Sequence, residues 1–88
     1  MASYNVHLKP SAEKDLRKLP KPMISRVIEE IEKLRSNPFP HQAIKLEAVE
    51  RLYRLRVGDY RIIYEVETEP KQITILYIRH RREAYRAL

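Results

Sequence analysis

The sequence predicts a single α+β domain over residues 1–88, in which an antiparallel helical hairpin packs on one face of a mainly antiparallel four-stranded sheet. Three observations predict it. Residues 52–66 alternate with period two around the chain's only glycine, as half-buried strands do. Residues 72–78 are apolar on both faces, which favours a central strand. The N-terminal half carries two stretches of helical periodicity separated by prolines.

The N-terminal half predicts one strand and two helices. Residues 4–9 alternate in polarity and form the first strand, which Pro10 ends. Ser11 is the expected N-cap of the first helix, and Pro20 ends that helix. Pro22 suits the first position of the second helix, and so short a linker favours an antiparallel pair. The apolar stripe of the second helix consists of Ile24, Val27, Ile28, Ile31 and Leu34.

The stretch around Gly58 predicts a β-hairpin with a defined register. Glycine at the first central position of a two-residue turn suits type II′, because glycine accepts a positive φ. With the turn at Gly58-Asp59, the expected opposite pairs are Val57 with Tyr60, Arg56 with Arg61, Leu55 with Ile62, and Tyr53 with Tyr64.

This register separates an apolar face from a basic face. Arg54, Arg56 and Arg61 share the basic face, and like charges opposite one another cost up to ~1 kcal/mol. Three guanidinium groups on one face therefore indicate a site for an anion, and the alternative is a solvated basic surface that salt screens. The predicted core face carries Tyr53, Leu55, Val57, Tyr60, Ile62, Tyr64 and Val66.

The C-terminal region predicts a central strand followed by a basic tail. Residues 68–71 form a turn, residues 72–78 form the strand, and residues 79–88 are expected to form one or two helical turns. Tyr77 is assigned to the core together with Tyr60 and Tyr64. The direction of His80, at the strand end, stays open.

The composition limits the classes of function. The net charge is +6, and Lys71 is the only lysine in residues 51–88, where the other basic side chains are arginines. Because arginine binds phosphate bidentately, this bias indicates RNA or phosphate as ligand.

Other classes are disfavoured by what the sequence lacks. With no cysteine and three scattered histidines we expect neither a metal nor a cofactor, and one glycine excludes a glycine-rich phosphate loop. No signal peptide and no membrane-spanning run is visible, so we expect a soluble cytoplasmic protein.

Two strings of the sequence resemble the RelE/ParE superfamily of toxins, and specifically its RelE branch. They are residues 53–64, YRLRVGDYRIIY, and residues 78–85, IRHRREAY, and the resemblance covers nearly the whole chain. It implies a type II toxin that cleaves mRNA in the ribosomal A site by attack of the substrate's own 2′-OH, without a metal, and that a cognate RelB-type antitoxin silences.

The resemblance also implies site residues. The expected catalytic residues are Arg54, Arg56, Arg61, Arg81 and Tyr85, and Arg79 is the alternative to Arg81. Arg61 and Arg81 suit charge stabilisation, Arg54 and Arg56 suit positioning, and Tyr85 stacks on a base or exchanges a proton. The expected substrate-binding residues are Arg79, His80, Lys45 and Arg82.

The chain departs from the RelE branch at two of these positions. The best-known relatives carry lysine where this chain has Arg54 and Arg56, and arginine stays protonated, so it cannot act as a base. The alternatives are a ParE-type toxin that binds DNA gyrase without nuclease activity and an inactive relative. The stripe on the second helix is core, or core plus an antitoxin-docking surface.

Overall fold

The protein, described here from a computed structural model over residues 3–46 and 51–81, is a five-stranded sheet with two helices. The elements in chain order are β1 (Asn5–Leu8), α1 (Pro10–Arg17), α2 (Lys21–Leu34), β2 (Ile44–Lys45), β3 (Leu52–Val57), β4 (Tyr60–Thr68) and β5 (Lys71–His80). The α+β class is therefore confirmed.

The sheet has the strand order β1-β5-β4-β3-β2. Strand β1 pairs with β5 in parallel, and all the other pairs are antiparallel. The prediction of four strands was wrong by one. The additional strand, β2, has only two residues, in which Ile44 lies opposite Arg54 and Lys45 lies opposite Tyr53. Two residues are too few to show the alternation from which strands are predicted.

The central hairpin has the predicted register. All four expected pairs are present, from Val57 opposite Tyr60 to Tyr53 opposite Tyr64. Gly58 has a φ of 60°, and Arg51 is the only non-glycine residue in the described ranges with a positive φ. Asp59 therefore has a negative φ, which agrees with type II′ and disagrees with type I′.

A β-bulge changes the faces of β5. Ile63 lies opposite Tyr77, but Tyr64 lies opposite Ile75, so Leu76 is an extra residue in β5. The extra residue reverses the alternation. Ile75 and Ile78 therefore both face the helices, whereas Tyr77 lies on the arginine face. The prediction that Tyr77 belongs to the core was wrong, because Tyr77 lies opposite Ile63 on the arginine face and is not part of the buried cluster.

Helix α1 begins two residues earlier than predicted. Pro10 occupies its first turn, Lys9 is the N-cap, and no side chain caps the helix. The assignment of Ser11 as N-cap was wrong: its hydroxyl donates a hydrogen bond to the Leu76 carbonyl at 2.7 Å, which ties α1 to β5. Helix α1 packs against β5 and β1, and α2 packs against β3.

The core lies between the helices and one face of the sheet. Tyr64 is fully buried there, and its hydroxyl donates to the Pro38 carbonyl at 2.9 Å. Ile28 is 45% exposed, so the α2 stripe is only partly core. The buried cluster comprises Ala12, Leu19, Val27, Ile31, Leu34, Leu55, Val57, Ile62, Tyr64, Val66, Ile73, Ile75 and Ile78.

The predicted C-terminal helix falls mostly on residues 82–88, which lie outside the described residues. The helix was predicted to start at Arg79, but Arg79 and His80 belong to β5, and Arg81 is the first residue with helical conformation. Among the described helices, none combines the length and apolarity that crossing a membrane needs.

Candidate functional site

Three arginines stand side by side across the face of the sheet away from the helices. Arg56 of β3 lies opposite Arg61 of β4, and Arg61 lies opposite Arg79 of β5. We call these three residues the arginine row. Neighbouring strands are ~4.8 Å apart, so the row spans roughly 10 Å of backbone.

A second row lies beside it on the same face. It consists of Arg54, Ile63 and Tyr77 from the same three strands. Ile63 is fully buried, and the Arg79 guanidinium lies 4.7 Å from the centroid of the Tyr77 ring. This is a cation–π contact, and it fixes one end of the arginine row against an aromatic surface.

A cavity of about 300 Å³ lies on this face, with Arg54, Arg56 and Arg61 in its wall. Gln42 and Ile44 complete the wall. Ile44 belongs to β2, the strand that the sequence did not predict, and is 52% exposed. Sequence reasoning missed both residues, because no periodicity marks the segment before β3.

The charged residue Arg61 is almost completely buried. It is 8% exposed, and Nη1 donates to the Tyr60 carbonyl at 3.2 Å. In the described part of the chain, no carboxylate oxygen lies within 4.0 Å of its guanidinium. Its neighbour Arg56 is exposed and donates from Nε to the Gly58 carbonyl at 3.2 Å. A buried cation without a counter-ion favours binding of an anion.

Arg79 differs from Arg61 in having a carboxylate partner. Its Nε donates to Asp15 Oδ2 at 2.9 Å, and the same oxygen accepts the backbone N–H of Ile78 at 3.0 Å. Asp15 belongs to α1, so this ion pair joins the helix to the end of β5. Arg79, the alternative to Arg81 as a catalytic residue, therefore belongs to the arginine row, and Asp15 partly neutralises its charge.

Arg81 lies at the end of the described chain. It is exposed, and its backbone N–H donates to the Asp59 carbonyl at 2.8 Å, beside the hairpin turn. Tyr85 and Arg82, the other predicted site residues of the tail, lie outside the described residues.

Lys45 and His80 are not brought to the arginine cavity. Lys45 lies opposite Tyr53 on the helix side of the sheet, where it lines a different cavity of about 530 Å³. His80 lies opposite Tyr60, and the two rings meet edge to face at 5.6 Å. The alternation of side chains along a strand places both on the face away from Arg61, so their assignment as substrate-binding residues finds no support in this geometry.

Comparison with known proteins places the chain among toxins. Residues 6–85 match a family model described as the ParE toxin of the type II toxin–antitoxin system parDE. A protein of Methanocaldococcus jannaschii provisionally named toxin RelE1 is 33% identical over 86 residues, which is 94% of this chain and 96% of that protein.

Two further comparisons agree with these. Toxin RelE of Mycobacterium tuberculosis is 29% identical over 84 residues, covering 94% of this chain and 87% of that toxin. The crystal structure of the archaeal RelE–RelB complex from Pyrococcus horikoshii OT3 contains a chain that superimposes with a TM-score of 0.80. The Pyrococcus horikoshii chain is 38% identical to this chain, and the match covers 89% of this chain and 94% of the Pyrococcus horikoshii chain.

Proposed function

The chain belongs to the RelE/ParE superfamily of type II toxin–antitoxin toxins, and we propose that it is a ribosome-dependent endoribonuclease that cleaves mRNA in the ribosomal A site. The observation that carries the proposal is the arginine-lined cavity on the open face of the sheet. Arg54, Arg56 and Arg61 approach it together, and Arg61 has no carboxylate partner among the described residues.

The proposed reaction uses the substrate's own nucleophile. The 2′-oxygen of a nucleotide forms a bond to the adjacent phosphorus, and the bond from phosphorus to the 5′-oxygen of the next nucleotide breaks. The products are a 2′,3′-cyclic phosphate and a 5′-hydroxyl. The protein has to orient these atoms in line and stabilise negative charge on the phosphoryl oxygens.

Arginine suits the electrostatic part of this task. The guanidinium of Arg61 is half of a like-charge pair with Arg56, and a phosphate placed between them offsets the repulsion. We assign charge stabilisation to Arg61 and Arg81, and positioning of the phosphate to Arg54 and Arg56.

The proton of the 2′-OH needs a different residue. Arginine stays protonated in proteins, so none of the four arginines accepts that proton. We assign proton exchange, or stacking on a base, to Tyr85, on the strength of the family resemblance.

We also propose a RelB-type antitoxin as partner. A toxin of the same superfamily, from Pyrococcus horikoshii, is solved as a RelE–RelB complex, and this chain carries a net charge of +6. An acidic antitoxin that orders on binding has the charge needed to cover the arginine face.

The test is primer extension on an mRNA in a purified translation system, with wild type, Arg61→Ala and Arg35→Ala. Arg35 is an exposed arginine at the end of α2, so its variant is the charge-matched control. We expect cuts within A-site codons that require ribosomes, persist with Arg35→Ala and disappear with Arg61→Ala.

Intact mRNA with the wild-type protein would contradict the proposal. The matching family model is described as a ParE toxin, so inhibition of DNA gyrase supercoiling is then the assay that supports the alternative function.

A further inference from the structure

A second basic cavity lies at the other end of the arginine row. It measures about 500 Å³, and Ser11, Lys14, Asp15 and Lys18 of α1 and its C-terminal flank line it together with Arg79 of β5. Arg79 is a member of the row and also lines this cavity. The two basic surfaces are therefore continuous through Arg79, which lies opposite Arg61.

Among the residues that the structure describes, the two lysines of this cavity form no ion pair. Lys14 and Lys18 are four residues apart, so they project from the same side of the chain, and both are exposed. Over residues 3–46 and 51–81, no carboxylate oxygen lies within 4.0 Å of either ammonium group. In contrast, Arg17 of the same helix pairs with Glu13 at 3.7 Å.

The remaining groups of the cavity are already engaged in the fold. Asp15 Oδ2 accepts from the Ile78 backbone and from Arg79 Nε, which leaves the Nη end of Arg79 outside that ion pair. The Ser11 hydroxyl hydrogen is donated to the Leu76 carbonyl. The donors left for a ligand are therefore the ammonium groups of Lys14 and Lys18 and the Nη groups of Arg79, whose guanidinium also contacts the Tyr77 ring. Their three positive charges exceed the single negative charge of Asp15.

We infer that Lys14, Lys18 and Arg79 form a second anion site that binds an RNA backbone phosphate, separate from the arginine cavity. The inference rests on the proposed function in one respect, the identity of the anion as RNA. Two ammonium groups and a guanidinium are a donor set that suits phosphate. An RNA strand that crosses the arginine row from the first cavity reaches α1 directly. The phosphate belongs either to the mRNA or to ribosomal RNA.

The experiment measures binding by the full-length protein to two RNA targets that it cannot cleave. One is a 2′-O-methylated single-stranded RNA, and the other is ribosomes programmed with an mRNA that is 2′-O-methylated in the A-site codon. The variant is Lys14→Gln/Lys18→Gln. The control is Lys21→Gln/Lys33→Gln, which removes the same charge from exposed positions on α2.

We expect the Lys14→Gln/Lys18→Gln protein to bind roughly tenfold more weakly at about 100 mM salt. The slope of log affinity against log salt concentration should become shallower by about 0.7 for each phosphate that the variant no longer neutralises. The control should stay within about twofold of wild type. Weaker binding to the isolated RNA identifies an mRNA phosphate, and weaker binding only to ribosomes identifies a ribosomal phosphate.

Unchanged binding to both targets, or equal effects in variant and control, would overturn the inference. A loss of affinity confined to an acidic antitoxin would also overturn it, in favour of a protein ligand. The proposed function is tested separately, by measuring whether the wild-type protein cleaves unmodified mRNA. If that cleavage is absent while the double variant still binds RNA more weakly, the anion site stands and the nuclease assignment fails.

Discussion

Arg56 and Arg61 lie directly opposite each other across the central hairpin, one pair away from the Gly58-Asp59 turn. Arg56 is exposed, whereas Arg61 is buried. In a sheet, like charges in this relationship destabilise the fold by up to ~1 kcal/mol. The protein therefore keeps an unfavourable pair at the centre of its basic face, which is understandable if a ligand supplies the missing negative charge.

A double-mutant cycle measures this repulsion. We expect Arg61→Met to keep the packing of the buried stem and to raise the free energy of unfolding by a few tenths of a kcal/mol up to ~1 kcal/mol. In the Arg56→Met background the same change should gain less. Urea denaturation at low and high salt is the measurement, and the coupling should shrink as salt rises. A coupling of zero or of the opposite sign would contradict the like-charge interpretation.

Truncation on the opposite face of β3 should have the reverse effect. Leu55 is 3% exposed and belongs to the core, so Leu55→Ala should lower the free energy of unfolding by ~2–5 kcal/mol. Ile28→Ala is the control, because Ile28 is 45% exposed on α2 and should lose much less. Similar losses for the two variants would show that the assignment of Leu55 to the core is wrong.

The ion pair between Asp15 and Arg79 should contribute measurably to stability. The Asp15 side chain is 13% exposed, and its carboxylate oxygen accepts two hydrogen bonds, so Asp15→Asn should cost ~1–2 kcal/mol in urea denaturation. The matched control is Glu13→Gln, which breaks a more exposed pair with Arg17 at 3.7 Å and should cost less than ~1 kcal/mol. Equal costs for the two variants would contradict this ranking.

Stability should fall at alkaline pH because of Tyr64. Burial, and then the neighbouring Tyr53, raise the pKa of the Tyr64 hydroxyl above its ordinary value. Above pH ~10 the unfolded chain loses this proton and the folded chain keeps it, so the free energy of unfolding falls by ~1.4 kcal/mol per pH unit. Below that pH both states are protonated and the effect vanishes.

The Tyr64→Phe variant tests this linkage. It should lose ~1 kcal/mol at neutral pH, because the hydrogen bond to the Pro38 carbonyl is missing, and should show a shallower decline above pH ~10. Denaturation curves from about pH 8 to about pH 11 provide the comparison. Parallel curves for wild type and variant would contradict the assignment to Tyr64.

The central hairpin was predictable because its determinants are local. Gly58 is the chain's only glycine and fixes the turn, and each pair follows from the turn by counting outward. The three arginines of the first cavity follow from the same count. One glycine therefore determined both the core face and the basic face of β3 and β4.

The features that the sequence did not predict depend on contacts between distant residues. Because of the bulge at Leu76, Tyr77 and Ile75 lie on opposite faces of the sheet, and no local sequence signal marks this bulge. Ser11 has the position of a cap at the start of a helix, yet its partner is a carbonyl 65 residues away. The two-residue strand β2 exists only because β3 pairs with it, so the sequence does not mark Gln42 and Ile44 as part of the cavity wall.

The parallel pairing of β1 with β5 has a consequence for the order of folding. Strands β3, β4 and β5 are joined by tight turns and can pair as a meander while the chain ends are still free. Strand β1 pairs with the last strand, so Asn5 has to find Gln72 across most of the chain length. Closing so long a loop is slow, and we expect this edge to be the last part of the sheet to form. Helix α1 follows β1 directly, so the ion pair of Asp15 with Arg79 is completed at that same late step.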